Sequence, residues 1–205
     1  MNLPNRLSLL RICIVPLFVV VYFLPYYWCA FVAFCLFILA AATDFLDGYI
    51  ARKYKMVTDL GKLLDPMADK VLVCAALFCV VATNPLQYTN YALPTKFGVI
   101  LLAVGAMIII SRELLISAVR QIAASKGVVV QANLYGKVKT VFQDIALPMI
   151  VLLNAAGVQA QGLHEISLFW MIWWWASLFI FVVAVVFTIL SGVIYLLQNK
   201  KVFSN

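Results

Sequence analysis

Charge is what this sequence has least of: 11% of its 205 residues are charged, against 66% hydrophobic. Soluble domains carry about 25% charged and about 45–50% apolar residues. So little charge cannot build an aqueous surface, which excludes an ordinary soluble domain. Histidine is scarcer still, with His164 alone. It sits in a short polar stretch, away from the acidic residues discussed below, and no Ser–His or Cys–His nucleophilic pair is legible. The five cysteines (Cys13, Cys29, Cys35, Cys74 and Cys79) fall inside apolar runs, without CxxC spacing or histidine partners. They read as small buried hydrophobes. Internal repeats, low-complexity tracts and a leftover soluble segment are also missing, so one membrane domain over residues 1–205 is expected. Residues Asn2 to Arg11 are mixed polar and no small-residue cleavage site follows the first apolar run, so the mature chain is expected to start at Met1.

What the chain has instead is long apolar runs. A spanning helix needs about 20 such residues at a rise of about 1.5 Å each. Six runs qualify: Ser8–Leu24, Trp28–Ala51, Pro66–Thr83, Leu93–Gln121, Leu134–Ala155 and Ile166–Gln198. The breaks hold Pro25, Pro85, Pro94, Asn84, Asn90, Gly157 and Gly162, which suit turns. The expectation is an all-α integral membrane protein with six transmembrane helices.

The formal charge of +7 could point to nucleic acid, but the basic residues lie between the apolar runs. Arg6, Arg11, Arg52, Lys53, Lys55, Lys62, Arg120, Lys126, Lys137, Lys139, Lys200 and Lys201 all fall on one side, and Lys96 and His164 on the other. The positive-inside rule then makes both termini cytoplasmic, and the basic side favours lipid headgroups and phosphates over nucleic acid. Tyr26, Tyr27, Trp28, Tyr88, Tyr91, Trp170 and Trp173 to Trp175 lie near the boundaries of the runs and read as an interfacial aromatic belt.

Five of the eight acidic residues fall between Asp44 and Asp69. A carboxylate within a spanning segment costs about 2.5–3.5 kcal/mol on insertion scales, so such residues usually have a task. Asp44 and Asp47, three apart, share a face of the second helix; Asp65 and Asp69, four apart, share a face of the third. Pro66 disfavours a helical Asp65, so the third helix is expected to start, or to have its first turn, there. The short loop Lys53–Lys62 then makes the two helices antiparallel neighbours, and four carboxylates converge at the cytoplasmic edge. Unpaired, they would repel strongly in a low dielectric, so something positive sits among them. An all-oxygen set suits Mg²⁺, Mn²⁺ or Ca²⁺ and disfavours zinc. A dinuclear centre of this kind polarises phosphoryl groups. Gly48, Ala51 and Gly61 leave room either for a ligand or for a close helix. Arg52 reads either as a phosphate clamp or as an orientation charge, and Asp59 as solvated.

These residues read D44-x2-D47-G48-x2-A51-R52-x8-G61-x3-D65-x3-D69, an arrangement that resembles the signature of the CDP-alcohol phosphatidyltransferases at every fixed position. The resemblance implies a six-helix membrane enzyme, commonly a homodimer, that displaces CMP from a CDP-linked donor with a hydroxyl acceptor. It implies that Asp44, Asp47, Asp65 and Asp69 ligate two divalent cations, Mg²⁺ or Mn²⁺, with Asp69 also the general base. Gly48, Ala51, Arg52 and Gly61 would line the cytidine diphosphate pocket, joined by Thr43. The opening NLPNRLSLLRI, the segment Ser111–Arg120 and Gly136–Thr140 resemble the bacterial members that use CDP-diacylglycerol and sn-glycerol 3-phosphate. That resemblance places the protein in the bacterial cytoplasmic membrane, facing the cytoplasm.

A phosphorylated acceptor needs cations away from the metals, and Arg112, Arg120, Lys137 and Lys139 are available. Arg112 lies about 15 Å before the expected end of its helix, a depth that needs a polar cavity. It either binds the acceptor phosphate or pairs with Glu113, and the two lysines meet either phosphate or lipid headgroups. Asp144 is expected as a buried partner for one of these cations, and Gln143 and Asn133 carry no signal. The rival acceptors are inositol phosphate, inositol and serine, the last disfavoured by the basic cluster. A divalent-cation transporter fits poorly, because the carboxylates gather at one edge and no repeat is present.

Overall fold

The computed structural model is all helical, with the backbone described over residues 3–53, 59–85, 95–125, 134–160 and 168–198, and the side chains over 8–43, 67–68, 70–85, 96–123, 134–155 and 168–198. Six helices follow one another: α1 (Leu3–Phe23), α2 (Tyr27–Lys53), α3 (Asp59–Thr83), α4 (Thr95–Ser125), α5 (Leu134–Ala160) and α6 (Leu168–Gln198). Each overlaps one of the expected runs, and those of α2, α3 and α5 lie wholly inside their helices. Among the described residues, the spans Lys96–Ala123, Leu134–Ala155 and Leu168–Gln198 are long and apolar enough to cross a membrane, and three shorter apolar helices accompany them. Leu17, Val20, Val32, Phe78, Met107 and Phe179 stand exposed on the outside of the bundle. Lipid solvates such a surface and water does not, so this is the bundle of a membrane protein.

Prolines do not break these helices. Pro16 lies inside α1 and Pro148 inside α5. Pro66 behaves the same way, because α3 begins at Asp59 and not at the proline. The expected start of the third helix is therefore corrected by two turns. Leu60, Leu63 and Leu64 continue the apolar pattern upstream, and one lost backbone bond is tolerated where neighbouring helices surround the chain. Asp59 is accordingly the first residue of α3 and not part of a loop.

Helix ends are set by local chemistry. Asn84 takes a left-handed backbone (φ 44°) and its N–H donates to the Val80 carbonyl at 3.0 Å, which closes α3. Asparagine tolerates that conformation better than most residues. The Tyr22 and Thr83 hydroxyls lie 2.7 Å apart, and the Asn154 amide donates to the Tyr22 carbonyl at 3.2 Å. The C-terminal parts of α1, α3 and α5 thus meet at one end of the bundle, which puts their beginnings together at the other.

The core runs through all six helices, from Phe18 and Phe37 to Ile109, Ile150 and Phe181. On α2, Ala30, Ala33 and Ala40 are fully covered, and such small residues let helices approach closely. On α6 the buried positions are Trp170, Trp174, Ser177, Phe181, Ala184, Thr188, Ser191 and Tyr195, one stripe along a single face. Two of the tryptophans expected in the aromatic belt, Trp170 and Trp174, are therefore core residues. Trp173 is half-buried and donates from Nε1 to the Met149 carbonyl at 2.9 Å, while Trp175 and Trp28 are exposed as a belt requires. Three consecutive residues span about 200° of a helix, so one of them must face the bundle. The cysteine expectation is also corrected: Cys79 is buried and Cys29 half-buried, while Cys13, Cys35 and Cys74 are exposed. A thiol is apolar enough to face lipid.

Gly105 of α4 allows a close crossing with α6. A Cβ there would lie 2.7 Å from the Phe181 ring, closer than carbon atoms pack. Gly105→Ala should cost about 1–3 kcal/mol of stability, read as a lower melting temperature in detergent. Adding Phe181→Leu in the same chain should restore part of the loss; equal melting of Gly105→Ala and the parent would contradict the close crossing.

Candidate active site

The aspartate motif straddles the connection from α2 to α3. Asp44 and Asp47 lie in α2, with Asp44 nine residues, about 14 Å, before the helix ends at Lys53. Asp65 and Asp69 lie in α3, with Asp69 ten residues, about 15 Å, beyond its start. The second half of the motif is thus set further inside α3 than a proline-started helix allowed. The intervening residues 54–58 keep Lys53 and Asp59 within about 20 Å of each other. Among the described residues helices α2 and α3 touch slightly, and α1 packs along both. α1 therefore stands beside the expected pair of neighbours. The side chains of Asp44, Asp47, Gly48, Ala51, Arg52, Gly61, Asp65 and Asp69 lie outside the described residues, as do Tyr88, Tyr91, Lys126, Asn133, His164, Glu165, Lys200 and Lys201. Among the described residues no group of three or more His, Cys, Asp or Glu side chains gathers.

At the edge of the motif the side chains are described. Thr43 is buried; its Oγ1 donates to the Ala40 carbonyl at 2.6 Å and accepts from Arg11 Nε at 3.5 Å. Arg11, read from the sequence as an orientation charge, is fully buried instead. A guanidinium in that position joins α1 to α2 one residue before Asp44.

A second polar centre lies between α3, α4 and α5. Glu113 is its hub: Oε1 accepts from Arg112 Nη1 at 3.2 Å and forms an ion pair with Lys139 Nζ. Lys139 is 1% exposed, so the pair is set in a low dielectric, where removing one partner is expensive. Lys70, directly after Asp69, donates to the Ser117 hydroxyl, which itself bonds the Glu113 carbonyl at 2.7 Å. Of these, Lys70, Glu113 and Lys139 face a cavity of about 220 Å³ whose polar wall also holds Thr140, Gln143 and Asp144. The volume suits a small polar molecule, below the roughly 300–1,000 Å³ of drug-sized sites. Asp144 is exposed on that wall and so is not buried as expected, and the carboxylate bonded to Lys139 is that of Glu113.

The four cations proposed from sequence thus divide. Arg112 and Lys139 converge on Glu113. Arg120 stands exposed two turns along α4, its guanidinium 5.9 Å over the Tyr195 ring, and Lys137 is exposed on α5. Arg112 is threaded between two glycines: a Cβ on Gly136 would lie 3.3 Å from its Nη2, and one on Gly192 would lie 3.4 Å from its Cγ. Its Nε is buried without a hydrogen-bond partner. Sequence reading missed Lys70, Arg11 and Gln143. A lysine within an apolar run after Asp69 was the available signal for the first; burial of the other two is a packing property that no local pattern encodes.

The sequence model of the family described as CDP-alcohol phosphatidyltransferase matches residues 1–190. A protein of Bacillus subtilis (strain 168) named CDP-diacylglycerol–glycerol-3-phosphate 3-phosphatidyltransferase is 36% identical over 210 residues, covering 97% of this chain and 95% of its own length. Proteins of the same name from Rickettsia felis and Rickettsia bellii are 31% and 32% identical, each covering 98% of this chain and 97% of its own. With the match running through every helix and both polar centres, the chain belongs to the CDP-alcohol phosphatidyltransferase family.

Proposed function

We propose that this chain transfers the phosphatidyl group of CDP-diacylglycerol to sn-glycerol 3-phosphate, giving phosphatidylglycerol phosphate and CMP. The observation that carries the reading is likeness over nearly the whole chain to relatives that all bear that activity in their name. The polar centre at Glu113 supports it, because Arg112 and Lys139 together exceed the one carboxylate between them by a positive charge. A phosphorylated acceptor brings the missing anion.

In this reading the chain is one domain of six spans, both termini are cytoplasmic, and the site faces the cytoplasm of a bacterial inner membrane. The common ends of α1, α3 and α5 fit alternating spans. A homodimer is the proposed assembly. The donor set of Asp44, Asp47, Asp65 and Asp69, oxygen throughout, fits two Mg²⁺ or Mn²⁺ ions, which when bound would neutralise the pyrophosphate and the leaving CMP. Gly48, Ala51, Arg52 and Gly61, with Thr43 beside them, would receive the cytidine diphosphate. Arg112 and Lys139 would hold the acceptor phosphate, with Arg120 and Lys137 meeting it or lipid headgroups nearer the surface. Asp69 would take the proton of the acceptor hydroxyl, whose oxygen attacks the phosphorus bearing diacylglycerol. The bond from that phosphorus to the bridging oxygen breaks, and CMP leaves with the electron pair.

An acceptor panel tests the reading. With labelled CDP-diacylglycerol, glycerol 3-phosphate should give phosphatidylglycerol phosphate at a rate well above those with inositol phosphate, inositol and serine. A faster lipid product from any of these three would move the assignment to that acceptor.

A further inference from the structure

The cavity between α3, α4 and α5 contains one group that the reaction as described leaves unused. Gln143 is 3% exposed, it lines the cavity, and its Oε1 is buried without a hydrogen-bond partner. It stands four residues after Lys139, on the same face of α5 and one turn further along. A buried carbonyl oxygen without a donor is costly, and native interiors rarely keep one. Among the described residues no group donates to it: Lys139 bonds Glu113, Lys70 bonds Ser117 and the Thr140 hydroxyl bonds the Gly136 and Lys137 carbonyls, while the carboxylates of Glu113 and Asp144 are themselves acceptors.

We infer that Gln143 accepts a hydrogen bond from the non-reacting C2 hydroxyl of the glycerol phosphate acceptor, and thereby selects a polyol over a simple alkanol. The inference rests on the acceptor reading above. Its chemistry distinguishes the two parts of that molecule. Phosphate oxygens are acceptors and would be repelled by a carbonyl oxygen, so they belong with Arg112 and Lys139. A hydroxyl can donate, and Gln143 stands one turn of α5 beyond Lys139, a step of the same order as that from a phosphate to a neighbouring hydroxyl. A site that hydrogen-bonds a substrate hydroxyl rejects the analogue lacking it, because its own polar group is then left bare. Gln143 is in this sense a specificity-determining residue that touches substrate.

The test compares glycerol 3-phosphate with 3-hydroxypropyl phosphate, which has the same phosphate and reacting hydroxyl but no C2 hydroxyl. The purified full-length enzyme, with CDP-diacylglycerol in mixed micelles, should prefer glycerol 3-phosphate in kcat/KM by about 10-fold or more. Gln143→Met should reduce that preference to about one, with the loss appearing in KM for glycerol 3-phosphate and with the rate on 3-hydroxypropyl phosphate retained. A rate on the deoxy acceptor equal to wild type also proves the variant folded. If Gln143→Met loses equally on both acceptors while melting like wild type, the residue serves the phosphate or the scaffold, and the inference fails. If Gln143→Met does not fold, Gln143→Glu decides: it keeps an acceptor oxygen in place, so the preference must survive, and its disappearance overturns the inference. A wild-type enzyme inactive on glycerol 3-phosphate sinks the acceptor reading itself, whereas an active wild type without preference sinks only the role of Gln143.

Discussion

Asp69→Asn should lower kcat about 10²–10⁴-fold, the usual range for loss of a general base, while leaving KM for both substrates close to wild type. The amide is nearly isosteric with the carboxylate, so packing is preserved and the proton acceptor is lost. The proposed second duty of Asp69, as a cation ligand, gives the experiment its control. Asp44→Asn removes a ligand of the same set without removing the base. Its loss should be recovered in part by raising Mg²⁺ or Mn²⁺, because weakened binding is overcome by mass action. The Asp69→Asn loss should persist at saturating metal. Wild-type rates in both variants, with unchanged metal dependence, would remove the motif from the chemistry. Full rescue of Asp69→Asn by metal would leave it a ligand and pass the base to another group.

The contrast between these variants follows from where the motif sits. Asp44 to Asp69 was legible from sequence because carboxylates in apolar runs are expensive, and their spacing of three and four places each pair on one helical face. The six helices were legible for a related reason: long apolar runs separated by polar breaks have few alternatives. What local pattern did not contain was which side of each helix meets the others. Trp170 and Trp175 have the same composition around them, yet one is core and the other exposed. Arg11 counts as a positive charge near a membrane boundary until α2 covers it and Thr43 accepts from its Nε. The start of α3 failed for a different cause. The preference of the residue before a proline was applied as a boundary, while the leucines upstream carried the helix through Pro66. The polar centre between α3, α4 and α5 was half-visible, since Arg112, Glu113 and Lys139 each stood out as intramembrane charges. That one carboxylate would serve both cations, with Gln143 facing the same cavity, depends on the tertiary approach of α4 to α5.

Glu113 is therefore the residue whose neutralisation should cost the most stability. Glu113→Gln leaves the buried Lys139 ammonium without its carboxylate and puts it opposite Arg112, a like charge. Removing one partner of a buried ion pair typically costs about 3–5 kcal/mol, which for a chain of this size should lower the melting temperature in detergent by roughly 10 °C. Lys139→Met in the same chain should return much of the loss, since no buried charge is then uncompensated; the two single changes and the double change form a cycle whose interaction energy measures the pair. The same variant also reports on the acceptor. If Arg112 and Lys139 hold the acceptor phosphate, an anion in the cavity replaces the missing carboxylate, so glycerol 3-phosphate should raise the melting temperature of Glu113→Gln by more than it raises that of wild type. Unbranched behaviour, with equal shifts in both proteins, would separate the ion pair from substrate binding. Melting of Glu113→Gln within about 1 °C of wild type would instead show that Lys139 carries no charge needing a partner, because a buried ammonium can shed its proton when left alone.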